Sequence, residues 1–174
     1  MNADEGAGIW LTQTYLQEKL FNGALTIAAG RMGQADVFAF LPILGNYING
    51  GFDGNPGSLF INHPSFAEPP PGTEWGNQAT YNSPHWQASV GIYNTNPNSA
   101  AATDRSIDLA FQQGNKGAMY LGQINYMFNQ GPGDKGMQGM YSLGGLYDGT
   151  RYTSLSNGNT ISGNWDLWAM FQQK

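Results

Sequence analysis

The stretch Trp86-Gln87-Ala88-Ser89-Val90-Gly91-Ile92-Tyr93 decides the fold class, because apolar and mostly polar residues alternate along it. The even-numbered residues, from Trp86 to Ile92, fall on one face of an extended chain, and the odd-numbered ones fall on the other. A helix would repeat every 3.6 residues and would mix these two sets. The stretch is therefore predicted to be a β-strand with one apolar face.

The same alternation recurs along the chain in segments of about ten residues, the length of a tilted membrane-spanning strand. Ser106–Gln112 and Trp165–Gln172 repeat it clearly. Weaker candidates are Ile9–Glu18, Ala24–Arg31, Trp75–Asn82, Ala118–Phe128 and Met137–Asp148. Turn-forming links rich in Asn, Gly and Pro join most of these segments, so an all-β antiparallel meander of about eight strands is predicted.

Composition limits the class of protein further. Charged residues make up 11% of the 174 residues, less than half of the roughly 25% that is typical. Twenty-five glycines and 13% aromatic residues accompany them. This balance suits a barrel with one apolar face in lipid and one uncharged polar face in water. Secreted β-rich adhesins and carbohydrate-binding domains share it, so composition alone leaves both classes open.

Several other classes receive no support. The net charge is −5 and no basic run occurs, so nucleic-acid binding is not expected. The absence of cysteine excludes disulfides and thiolate chemistry. The first residues, Met1–Gly6, have neither the basic nor the apolar region of a signal peptide, and no apolar stretch approaches the length of a spanning helix. We expect any export signal to lie upstream of this chain.

One connection differs from the others, the long loop at residues 34–74. It begins with Val37–Leu41, which is predicted to form a short helix, and ends beyond the run Pro69–Pro71. A loop of this length is usually functional or disordered. A Pro-rich linker is the alternative, but Phe52, Phe60 and Phe66 carry more apolar surface than a linker normally does. In a barrel, such a loop can fold inward and narrow the lumen.

Aromatic residues cluster at the predicted strand ends, as in the girdles of membrane barrels. They are Trp10, Trp75, Tyr81, Trp86, Tyr126, Tyr147, Tyr152 and Trp165. The core of a soluble sandwich would also contain aromatic residues, and sequence position alone does not separate the two interpretations.

An ordered series of short motifs resembles the carbohydrate-selective porin family (OprB-type) of Gram-negative outer membranes, across nearly the whole chain. The motifs are Trp10–Gln13, Leu20–Leu25, Ala29–Met32, Asp36–Ala39, Gly54–Gly57, Glu74–Gly76, Val90–Pro97, Asp104–Arg105, Gly144–Asp148 and Phe171–Gln172. The resemblance implies a sixteen-stranded barrel that passes monosaccharides such as glucose. Residues 1–174 would then be a partial barrel domain. Gln123 departs from the pattern, since the family tends to have an acidic residue there.

A sugar-selective channel needs hydrogen-bonding groups along its lumen and a constriction of suitable size and charge. On the alternation, lumen-facing candidates are Gln87, Ser89, Asp108, Gln112, Gln123, Asn125, Ser142 and Asp166. Arg side chains can bracket hydroxyl groups, so Arg31 and Arg105 are added as constriction candidates with Asp36 as a partner, and Arg151 is the third arginine. For each charge, an ion pair in the wall or a loop is the simpler interpretation.

Two other function classes remain. A secreted or surface β-sheet carbohydrate-binding module would use similar polar and aromatic residues. An enzyme would need a site, and a glycosidase pair could be recruited from Glu68 and Glu74, although nothing around them indicates one. The two histidines, His63 and His85, are interpreted as loop residues. We therefore predict an outer-membrane sugar channel with no catalytic residue, cofactor or metal, whose partners are the solute, membrane lipid and either further barrel strands or another copy.

Overall fold

Alternating residues favour extended backbone, and neighbouring extended segments pair through their backbone hydrogen bonds. In a computed structural model that describes residues 13–43, 59, 63, 66, 73–95, 117–154 and 156–174, they form one antiparallel sheet. Its seven strands follow one another in chain order: β1 (Thr14–Leu20), β2 (Leu25–Met32), β3 (Glu74–Asn82), β4 (Trp86–Asn94), β5 (Ala118–Phe128), β6 (Gly139–Thr153) and β7 (Thr160–Gln173).

The predicted all-β antiparallel meander is therefore confirmed. Each strand pairs with the next along the chain, and within the described residues β1 and β7 form the two edges of the sheet. The predicted strand Ser106–Gln112 lies outside the described residues. Strand β6 extends five residues beyond the predicted end at Asp148, across an irregularity between Asp148 and Arg151.

The short helix predicted at Val37–Leu41 is wrong. The helical turn comes earlier, as a 3-10 turn over Gln34–Asp36, and the chain then bends at Ala39, which has a positive φ of 55°. A residue whose backbone has this left-handed conformation cannot continue a right-handed helix. No helix among the described residues combines the length and apolar character required to cross a membrane.

The pleat of the sheet separates the side chains into two faces, which is clearest in β5. Leu121, Gln123 and Asn125 are buried, whereas Tyr120, Ile124 and Tyr126, which alternate with them along the strand, are exposed. Cross-strand register extends this separation to the neighbouring strands. We call the buried side the inner face and the other the outer face.

The outer face carries an apolar band bordered by aromatic rings. At the end with the short connections, contacts between ring centroids of 4.8 to 6.4 Å link Trp86, Tyr126, Phe128, Tyr141 and Phe171. At the opposite end, Tyr120 and Tyr147 lie 6.4 Å apart, and Trp165 pairs with Tyr147 in register. Aliphatic residues occupy the middle. The six residue steps from Tyr120 to Tyr126 correspond to about 20 Å along a strand.

The first part of the long loop, residues 34–43, packs against the inner face. Phe38, which is fully buried, meets Tyr93 edge to face with ring centroids 6.4 Å apart. Gln123 on β5 binds the same bend, because its Oε1 accepts hydrogen bonds from the Ala39 backbone N–H at 2.7 Å and from Trp168 Nε1 at 3.0 Å. Burying a Phe side chain contributes roughly 1.5–3 kcal/mol, which with these hydrogen bonds offsets the left-handed conformation of Ala39.

Glycines on the inner face make room for the large rings of adjacent strands. Gly76 lies opposite Tyr93, and a Cβ atom built on it would come 2.3 Å from the Tyr93 ring. Gly144 lies opposite Trp168, where the same distance is 2.4 Å. These glycines allow Tyr93 and Trp168 to lie flat against the sheet, where they contact the loop and Gln123.

At position 30, glycine is required by the backbone conformation and by the closeness of the neighbouring strand. Its φ of +145° is unfavourable for an L side chain, and a Cβ atom would come 2.4 Å from the Thr14 carbonyl oxygen on β1. Both facts restrict the position to glycine. This residue therefore permits the close approach of β1 and β2.

Replacing Gln123 with alanine should destabilise the fold, because the Ala39 N–H and Trp168 Nε1 would lose their shared acceptor. Each buried donor left unsatisfied costs roughly 1–3 kcal/mol. Urea unfolding of the purified protein, followed by tryptophan fluorescence, measures the loss. Gln138→Ala, at an exposed turn residue, is the control, and equal midpoints for the two variants would contradict the role of Gln123.

Gly30→Ala should lower the free energy of unfolding by about 1–3 kcal/mol, the usual cost of a strained backbone. Gly122→Ala is the matched control, since a Cβ atom there meets nothing within 4 Å. The same urea titration compares them. If both variants retain the midpoint of the unsubstituted protein, the close approach at Gly30 is not required.

Candidate functional site

A cavity of about 330 Å³ lies between the inner face and the first part of the long loop. This size is near the lower end of small-molecule pockets, which span about 300–1,000 Å³. Strands β1 to β6 supply Gln17, Lys19, Thr26, Gln78, Thr80, Gln87, Gln123, Asn125 and Met140, and the loop supplies Asp36, Val37, Phe40 and Pro42.

Amide side chains from four strands dominate the wall of this cavity. Hydrogen bonds between them restrict their orientations: Asn125 Nδ2 donates to Gln87 Oε1 at 2.8 Å, and Gln87 Nε2 donates to Asn82 Oδ1 at 2.8 Å. Tyr93 donates from its hydroxyl to Gln78 Oε1 at 2.5 Å. Linked amides of this kind present both donors and acceptors at fixed positions.

The loop side of the cavity is mainly apolar. Val37, Phe40 and Pro42 lie opposite the amide wall. The first part of the loop is held there by Gln123 and, further along, by Gln172, whose Oε1 accepts a hydrogen bond from the Ile43 backbone N–H at 3.1 Å. A solute in this cavity would meet polar groups on one side and a phenyl ring on the other.

Two of the lining residues carry charge, Lys19 on β1 and Asp36 in the loop. Asp36 Oδ2 accepts a hydrogen bond from Gln13 Nε2 at 2.7 Å. Burial raises the pKa of the Asp36 carboxyl above its ordinary value, and the hydrogen bond from Gln13 acts in the opposite direction. Asp36 nevertheless keeps an exposed side, and it contributes a charge opposite to that of Lys19 to the same cavity lining.

This arrangement suits the binding of a small uncharged polar molecule. Amide groups exchange hydrogen bonds with the hydroxyl groups of a solute, and they do so without the desolvation cost of full charges. Across the described residues, no group of three or more His, Asp or Glu side chains could hold a metal ion.

The structure brings four of the predicted site residues together at this cavity, namely Asp36, Gln87, Gln123 and Asn125. Arg31 lies elsewhere, buried at the end of β2, where its Nε donates to Thr73 Oγ1 at 2.9 Å. Asp166 lies on β7 next to His63 of the loop. Their role in a constriction stays a prediction.

The other predicted residues that the structure describes do not line this cavity. Ser89 and Ser142 are buried on the inner face, as expected, whereas Arg151 is exposed on β6. Glu74 is buried at the start of β3. The remaining candidates, Arg105, Asp108, Gln112 and Glu68, lie outside the described residues.

Sequence reasoning missed several lining residues. Gln17, Lys19, Gln78 and Thr80 follow the same alternation as the predicted residues, so an assignment of faces in β1 and β3 would have found them. No local pattern marks Phe40 or Pro42, because only the packing of the loop across the sheet brings them to the cavity.

Comparisons with known proteins agree with this architecture. A solved structure of OprB from Pseudomonas putida, determined at high pH, is similar with a TM-score of 0.75 and 24% identity over 94% of this chain. Porin B of Pseudomonas aeruginosa is 29% identical over 143 residues, or 79% of this chain. The chain spans 40% of the first protein's length and 29% of the second's.

The match to a protein family covers nearly the whole chain. Residues 2–173 match the family described as "Carbohydrate-selective porin, OprB family". The amide-lined inner face, the apolar outer face and the inward-packed loop are all contained in this range. The chain belongs to the OprB family of carbohydrate-selective porins.

Proposed function

We propose that this chain forms part of the wall of an outer-membrane channel in a Gram-negative bacterium. Sugars, with monosaccharides such as glucose as the expected solutes, would diffuse passively along its inner face. The matched family is one of channels rather than enzymes, which supports transport without a chemical step.

The observation that carries this proposal is the contrast between the two faces of one sheet. On the outer face, Leu16, Val90, Trp165 and Leu167 expose between 61% and 84% of their surface. A soluble carbohydrate-binding module would bury such a continuous apolar surface. In a bilayer the same surface faces hydrocarbon, and the bordering aromatic rings suit the two interfaces.

The inner face supports a sugar as the solute. Its cavity offers amide groups to the hydroxyls of the sugar and the ring of Phe40 to its less polar face. Lys19 and Asp36 have opposite charges, so the lining attracts neither anions nor cations strongly when both are ionised. A neutral polyol gains the most from this combination.

A complete wall needs strands beyond β1 and β7. An unpaired strand edge in hydrocarbon leaves backbone groups without partners, at a cost of several kcal/mol for each group. We propose that further strands, from the natural protein that contains this chain or from another copy, pair with these two edges.

Liposome swelling with the native outer-membrane protein tests the channel. Monosaccharides should enter faster than uncharged solutes of the same size that are not sugars, because only the sugars match the hydrogen-bonding lining. Equal rates of entry would contradict the proposed sugar selectivity, and an absence of swelling would contradict the proposed channel.

Gln87→Leu, which preserves size but removes the amide, should slow sugar entry roughly two- to tenfold, the equivalent of about 0.5–1.5 kcal/mol for a lost hydrogen bond. Gln138→Leu, in the exposed turn between β5 and β6, is the control. Unchanged sugar entry through Gln87→Leu would show that the amide wall does not contact the solute.

Ion selectivity should depend on pH through Asp36. As the pH falls through the raised pKa of this carboxyl, the carboxylate is neutralised and the charge of Lys19 is left unbalanced. The channel should then shift toward anions, and the shift should begin at a higher pH than an ordinary aspartate would give. Reversal potentials in a KCl gradient across planar bilayers measure this change. The shift should vanish in Asp36→Asn, and its persistence there would assign it to another group.

A further inference from the structure

The side chain of Gln123 is held by two groups that can only donate hydrogen bonds. Its Oε1 accepts from the Ala39 backbone N–H at 2.7 Å and from Trp168 Nε1 at 3.0 Å. Because neither partner can accept, the amide oxygen must face them, and the orientation of the amide group is fixed by its neighbours. Its Nε2 then points to the Val37 carbonyl oxygen at 3.5 Å, which is longer than the roughly 2.7–3.2 Å of an ordinary N–H···O hydrogen bond.

The contacts that hold the loop at this point therefore require an acceptor oxygen and make little use of the amide nitrogen. A glutamate has nearly the same shape as a glutamine, and its carboxylate would accept the same two hydrogen bonds, since N–H donors bind carboxylates strongly. The exchange would lose only the long contact with Val37. Packing of the loop alone thus does not explain why position 123 carries an amide rather than a carboxylate.

The wall around Gln123 has no charge that could compensate a carboxylate there. Its partners across the sheet are Ser89 on β4 and Gly144 on β6. Along the inner face of β5, its neighbours are Leu121 and Asn125. All four are uncharged, so a negative charge at position 123 would act on whatever occupies the cavity.

The charges of the described lining residues balance one another. They are those of Lys19 and Asp36, which have opposite signs. Lys19 lies on β1, four strands away from β5 in the sheet, or roughly 19 Å along it, and Asp36 would repel a carboxylate. With an amide at position 123 the lining has no excess charge, whereas a carboxylate would give it one negative charge in excess.

We propose that Gln123 is a residue that determines the specificity of the channel for uncharged solutes. Its amide oxygen holds the loop, and the amide does so without adding the negative charge that would draw cations into the cavity. The effect on transport rests on the proposed channel. The requirement for an acceptor at position 123 does not, since it concerns only the packing of the loop on the sheet.

Urea unfolding of the native outer-membrane protein, followed by tryptophan fluorescence, tests the requirement for an acceptor. Gln123→Glu should keep a midpoint close to that of the unsubstituted protein, because the Ala39 N–H and Trp168 Nε1 retain their acceptor. Gln123→Met has a side chain of similar length without an acceptor oxygen, and it should unfold at a lower urea concentration.

Reversal potentials in a KCl gradient across planar bilayers test the specificity. At pH 8, well above the ordinary range of carboxyl groups, the cation-to-anion permeability ratio should rise roughly three- to tenfold in Gln123→Glu and should not rise in Gln123→Met. Gln172→Glu is the matched control. Gln172 Oε1 also accepts a hydrogen bond from a loop N–H, that of Ile43, but Gln172 does not line the cavity, so the same exchange should change the ratio much less.

A midpoint for Gln123→Glu as low as that for Gln123→Met would overturn the acceptor role. An unchanged permeability ratio in Gln123→Glu, or an equal rise in Gln172→Glu, would overturn the role in specificity. If the unsubstituted protein carries no current while Gln123→Glu keeps its midpoint, the acceptor role stands, and the role in specificity fails together with the proposed channel.

Discussion

Backbone hydrogen bonding between successive strands is the constraint on which the rest of the structure depends. Each strand of the sheet that the described residues form pairs with the next in a fixed register, and the side chains of a strand alternate between its faces. A shift by one residue would place Gln123 and Asn125 on the outer face and Ile124 on the inner one. The same register thus creates both the apolar exterior and the amide-lined cavity.

The first part of the long loop, residues 34–43, then encloses a cavity against this inner face. Without it, the amide side chains would face an open space with no opposing wall. The loop remains in place because its polar backbone groups find partners on the sheet: Ala39 on Gln123, and Ile43 on Gln172. Buried polar groups are costly unless they are paired, so these hydrogen bonds fix the positions of Phe40 and Asp36 at the cavity.

The described contacts of the loop with the sheet differ in their physical character. The contact near Ala39 is made by neutral hydrogen bonds, whereas near His63 the imidazole ring lies 3.0 Å from the carboxylate of Asp166. A glycine supports the contact near Ala39 indirectly. Gly144 leaves room for the ring of Trp168, and Trp168 Nε1 and the Ala39 backbone N–H both donate hydrogen bonds to Gln123 Oε1. Structural support and the lining of the cavity therefore overlap in one group of inner-face residues.

The sequence alone determined the strands, their antiparallel order and the identity of Gln87, Gln123 and Asn125 as inner-face residues, because a period of two is a local property of the chain. It did not determine the path of the loop. The helix expected at Val37–Leu41 is replaced by a bend at Ala39, whose N–H binds a side chain 84 positions away. Only tertiary structure could bring Lys19 and Asp36 into the lining of one cavity, or place His63 between Asp148 and Asp166, since these residues are distant in sequence and leave no periodic pattern.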